Sequence, residues 1–76
     1  MALTKLKQIR EDLGVSQEVL VRRTKSVTLR TYSRIESGKS AARHDTATQI
    51  FEAVNEIRRE AGKPEMNMED LELRLY

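Results

Sequence analysis

The sequence predicts an all-α fold of four to five helices with a short C-terminal extension, and three observations predict it. Apolar residues recur at helical spacing in two stretches, Leu3, Leu6, Ile9 and Leu13, then Ala47, Ile50, Phe51, Val54, Ile57 and Ala61. Between them lie two N-terminal capping signals, Ser16 and Thr28. The three glycines, Gly14, Gly38 and Gly62, fall where a helical pattern stops.

Taken in order, the first helix is expected over residues 3–13, ended by Gly14. Ser16 opens the second, with Val15 and Leu20 at the spacing of a hydrophobic staple that sets the angle at which the chain joins the helix. Thr28 opens the third, with Val27 and Tyr32 as its staple and Gly38 as its stop, so this helix covers about residues 28–37. A longer fourth helix follows from Asp45 and ends at Gly62 and Pro64, with Phe51 expected as an aromatic anchor of the core. Asn67-Met68-Glu69-Asp70 has the composition of a capped short turn. Leu71, Leu73 and Leu75 then alternate with polar residues at the period of a half-buried strand. Such a strand lacks a partner in a helical chain, and the expectation is that these leucines form a dimer interface with the same segment of a second copy. A frayed tail, or a last helical turn capping the core, is the alternative. The chain thus divides into a helical domain, residues 1–63, and an extension, residues 64–76.

Composition narrows the function. The net charge of +2 conceals a polarised chain, with six net positive charges over residues 1–43 and four net negative charges over residues 44–76. A basic half carrying the two short capped helices suits the phosphate backbone of a nucleic acid. The acidic half suits self-association, a protein partner or plain solvation, and Glu52, Glu56 and Glu60 are expected to form a solvated acidic face. With no cysteine and one histidine, His44, the sequence carries neither a disulfide framework nor a thiolate or multi-histidine metal site. No catalytic triad spacing and no glycine-rich phosphate loop occurs, so no enzyme, metal or other cofactor is expected. No apolar run reaches the roughly 18 residues of a membrane span, no signal peptide is visible, and the expected compartment is the cytoplasm.

Two short capped helices joined by a tight turn are the DNA-reading unit of a helix-turn-helix. Leu6-Lys7-Gln8-Ile9-Arg10 with Leu13, Ser16-Gln17-Glu18 with Leu20, and above all Ser33-Arg34-Ile35-Glu36-Ser37-Gly38-Lys39 resemble the phage lambda repressor and Cro family of XRE-type helix-turn-helix domains, over roughly residues 3–57. The resemblance implies that Glu36 braces the scaffold and that the Gly38-Lys39 turn lies against the DNA backbone. It places base-reading residues at Leu29, Arg30 and Arg34, where arginine can contact guanine and leucine a thymine methyl. It makes Gln17, Thr28, Thr31, Ser33, Lys39, Ser40 and Arg43 the contacts to the DNA backbone. In one respect the chain departs from the family pattern. Lys25-Ser26 stand where a single turn glycine is common, one residue more between Leu20 and Val27, which implies a different angle between the two helices.

The expected function is that of a sequence-specific transcriptional regulator that binds double-stranded DNA as a homodimer. The alternative is an antitoxin or protein-interaction module whose acidic C-terminal half binds a protein partner.

Overall fold

Local capping chemistry decides where the first three helices begin. In the computed structural model, which describes residues 4–75, the order is α1 (Lys5–Leu13), α2 (Gln17–Arg22), α3 (Leu29–Glu36), α4 (His44–Glu60) and a 3-10 turn (Met68–Leu71). Thr4, Ser16 and Thr28 sit in extended backbone, and their hydroxyls accept from Lys7 N (3.2 Å), Val19 N (3.2 Å) and Thr31 N (3.1 Å). The first helix therefore starts after Thr4; Leu3 lies outside the described residues. Thr4 Oγ1 also donates to Glu36 O, which ties the start of α1 to the end of α3. Both staples form against the core: Val27, Tyr32 and Leu20 are buried and Val15 packs beside them.

The C-terminus of α3 closes as a full Schellman motif. Gly38, at φ 81°, lets its own N–H reach Ile35 O (3.1 Å) and Lys39 N reach Arg34 O (2.9 Å). The same pair of bonds ends α4 around Gly62, from Gly62 N to Arg59 O (3.1 Å) and from Lys63 N to Arg58 O (2.8 Å).

Periodicity sets the core. Ala47, Ile50, Ala53, Val54 and Ile57 form the inward stripe of α4, and Leu6, Ile9, Leu20, Tyr32 and Ile35 close over it. The buried aromatic anchor is Tyr32, not Phe51. Phe51 lies at the edge of the α4 stripe and is half-buried, whereas Tyr32 is enclosed completely because the staple turns it inward.

The C-terminal segment belongs to this core. Asn55 is buried in α4, donates to Met66 O (3.0 Å) and accepts from Met66 N (2.8 Å), so the chain after Pro64 is held back against the bundle. The expected short turn forms, with Asn67 and Asp70 in a reciprocal capping box, and it delivers Leu71 into the core at 1 % exposure. Among the described residues there is no strand. A single parallel bridge joins Ala42 to Leu75, so the segment pairs with its own chain. This corrects the interface expectation for Leu71, which is spent on the monomer core. Leu73 is half-buried against that core, and Leu75 alone is exposed, at 49 %. The alternation is that of an extended segment laid on a core with one side inward.

The connection between α2 and α3 is held from below. Gln49 Oε1, on α4, accepts from Lys25 N (3.0 Å) and Ser26 N (2.8 Å), and Gln49 Nε2 donates to Ser26 Oγ (3.0 Å). One side chain thus satisfies two backbone donors of the connection.

Candidate nucleic-acid interface

The face that α3 presents follows from the face it buries. Tyr32, Ile35 and Glu36 point inward, so Arg30 and Arg34, one helical turn apart, point outward. Among the described residues neither arginine forms an ion pair. Leu29, at the first position of the helix, is 42 % exposed. Thr31 is exposed and Ser33 half-buried beside the arginines.

Beneath this helix a buried polar knot fixes its orientation. Glu36 is only 2 % exposed, and Arg10 grips it with Nη2 to Oε1 at 2.8 Å and Nε to both oxygens at 3.1 Å. Arg10 Nη1 donates to Val15 O (2.8 Å), and Gln17 Nε2 donates to Glu36 Oε2 (3.2 Å). α1, α2 and α3 are therefore locked by one carboxylate, which raises the already high Arg10 pKa. Gln17, expected at the DNA backbone, has its amide engaged in this knot. The Tyr32 hydroxyl lies buried in the same region with no hydrogen-bond partner among the described residues, and burial pushes the phenol pKa up.

Along the other flank of α3 runs a groove of about 350 Å³, closed by the loop to α4. It brings together Thr28, Thr31 and Arg34 from α3 and its cap with Ser40 and Arg43 from the loop to α4, five residues expected at DNA. Lys39 is exposed on the loop beside it, while Leu29, Arg30 and Ser33 lie away from it on α3. Thr28 is occupied as a cap, accepting from Thr31 N and donating to Thr31 Oγ1 (2.9 Å). Ser26 and Thr46 also line the groove, and sequence reasoning did not single them out. The first turn of α4 beside Arg43 was the signal for Thr46. That turn has no side-chain cap at Arg43, and helix N-termini favour anions.

A helix-turn-helix family model matches residues 6–60. The chain belongs to the XRE, lambda-repressor-like helix-turn-helix family. Its members are DNA-binding regulators, and the family is not an enzymatic one. No curated protein and no solved structure gives a significant match.

Within this helix-turn-helix unit the charges sort by task. Arg23, one of the basic residues of the N-terminal half, turns to α4: its Nη1 lies 2.5 Å from both Glu56 Oε1 and Glu60 Oε2, joining the start of the turn to α4. The expected solvated acidic face is thus partly an anchor for a basic residue. Hydrogen bonding to Glu60 and Glu56 raises the Arg23 pKa, and the same contact holds the Glu60 carboxyl below its ordinary value. No helix of the described residues is long and apolar enough to cross a membrane.

Proposed function

We propose that this chain is a sequence-specific transcriptional regulator that lays α3 in the major groove of DNA and acts in the cytoplasm as a homodimer. One observation carries the reading. Arg30 and Arg34 stand a turn apart on the outward face of α3, free of ion pairs among the described residues, while the opposite face is fixed by Tyr32, Ile35 and Glu36. Side chains held in this way can meet base edges without first breaking a contact in the protein. Leu29, Arg30 and Arg34 then read bases, and Thr28, Thr31, Ser33, Lys39, Ser40 and Arg43 set the register on the phosphates. Gln17 contributes through the position it gives the start of α2.

Selection of a preferred duplex from a random pool, followed by titration of variants, tests this. Arg30→Ala or Arg34→Ala should weaken the preferred site by about 1–3 kcal/mol and random duplex far less, with an unchanged helical spectrum. Equal losses on both duplexes would make these arginines backbone contacts and overturn the base-reading assignment.

A further inference from the structure

The loop between α3 and α4 carries Lys39, Ser40 and Arg43, yet it has no regular structure of its own. Lys39 N and Ser40 N return to Arg34 O within the Schellman turn. The rest of the loop is held by one residue of the C-terminal segment. Arg74 Nη2 donates to Gly38 O at 2.9 Å, and Arg74 O accepts from Ala42 N at 2.8 Å. These two bonds bracket Lys39 and Ser40, one at each end. The clamp is itself anchored, because Leu71 is fully buried three residues earlier and Leu73 packs on the core between them. Residue 74 lies beyond the helix-turn-helix match, which ends at residue 60.

We infer that Arg74 is a positioning residue for DNA binding, which holds the loop carrying Lys39, Ser40 and Arg43 in its binding shape before DNA arrives; the inference rests on the proposed DNA-binding reading. A loop that is already ordered does not have to be ordered on the DNA, and immobilising free backbone opposes binding. Because the loop faces phosphates, the benefit should be the same for every sequence.

The test uses the full-length chain and a double-mutant cycle. Arg74→Ala should weaken preferred and random duplexes alike, by roughly tenfold, the scale expected from freeing a few loop residues. Arg74→Lys, which keeps a donor for Gly38 O, should restore most of that loss. In a Lys39→Ala background the Arg74→Ala loss should shrink, since the loop then has less to present. Amide exchange of Ala42 in the DNA-free wild type should be slow, and it should quicken in the Arg74→Ala chain. Unchanged affinity in Arg74→Ala overturns the inference. Losses that add with those of Lys39→Ala also overturn it, because Arg74 would then touch the phosphate itself. Rapid Ala42 exchange in the wild type overturns it too, and that measurement stands even if Arg74→Ala fails to fold. A wild-type chain that binds no duplex at all overturns the DNA-binding reading instead, and the exchange data separate the two failures.

Discussion

At the scale of single residues, the polar knot beneath α3 holds the largest stakes. Glu36 is nearly inaccessible, and its carboxylate is matched by Arg10 and Gln17. A buried pair contributes little over a well-packed apolar substitute, but removing one partner strands the other charge. Arg10→Met should therefore cost about 3–5 kcal/mol, whereas Arg10→Met combined with Glu36→Leu should recover most of it. Thermal melts of the two variants check this, and equal destabilisation would show that packing of Arg10, not its charge, is what matters. Tyr32 presents the opposite case, a phenol whose hydroxyl meets no partner among the described residues. Tyr32→Phe should hold or raise stability at neutral pH, since an unsatisfied buried group costs about 1–3 kcal/mol. The pH dependence has a definite sign. Burial raises the folded-state pKa above the unfolded value of about 10, so the neutral phenol's contribution is full below about pH 10 and is lost as the pH climbs beyond it. Wild type should lose more stability than Tyr32→Phe between about pH 10 and pH 11 in paired denaturant titrations, by at most about 1.4 kcal/mol per pH unit.

At the scale of elements, what could be read from sequence was what local chemistry decides. Ser16 and Thr28 cap where they were expected to, and Gly38 ends α3, because a cap involves only residues three or four apart. The Arg10–Glu36–Gln17 knot and the hold of Gln49 on the α2–α3 turn join residues 19 to 26 apart, and no local pattern announces them; the family resemblance marked Glu36 as a brace but not its partners. Of the two readings of the C-terminal leucines, the last helical turn capping the core is the one that Leu71 follows, and the strand reading failed for a related reason. Three alternating leucines fit a strand, but the partner of the segment is Ala42, in a loop with no strand signature, and Leu71 enters the core through the 3-10 turn. Arg30 and Arg34 were marked by the family resemblance, and α3 turns them outward opposite the buried Tyr32, Ile35 and Glu36, whereas the groove needed the loop to fold back. Two variants test the elements. At Gly38 the φ of 81° is the obstacle, since an added Cβ would meet only Thr4 Cγ2 at an ordinary 3.6 Å. Gly38→Ala should accordingly cost about 1 kcal/mol in chemical denaturation, with a larger loss pointing to a clash that the geometry does not contain. Gln49→Ala removes the partner of two backbone donors in the turn that sets α2 against α3. It should cost about 1–3 kcal/mol. Amide exchange should quicken at Lys25 and Ser26 first, and unchanged exchange there would mean that the turn holds its shape without Gln49.

At the scale of the whole molecule, the C-terminal segment limits how assembly can be studied. A chain cut after Pro64 would lose Leu71, whose removal from a core costs about 2–5 kcal/mol, together with the Met66 bonds to Asn55. A domain of this size holds only on the order of 4–11 kcal/mol in total, so such a cut should unfold the protein, not release a folded monomer. Assembly is better probed at Leu75, the exposed leucine of the segment, at 49 %. Dimensions allow pairing on DNA. The molecule measures 31 × 29 × 21 Å, and half-sites one helical turn apart are separated by about 34 Å, which leaves room for two copies side by side. Leu75→Glu should leave the melting temperature within a few degrees of wild type, because the side chain is not part of the core. If the segment meets its counterpart on a second copy, the variant should bind a palindromic site without cooperativity and sediment on it as one protein per duplex, where wild type gives two. A wild type that sediments as one protein per palindromic duplex at micromolar concentration would remove the homodimer, and two copies of Leu75→Glu bound cooperatively would move the interface away from this segment.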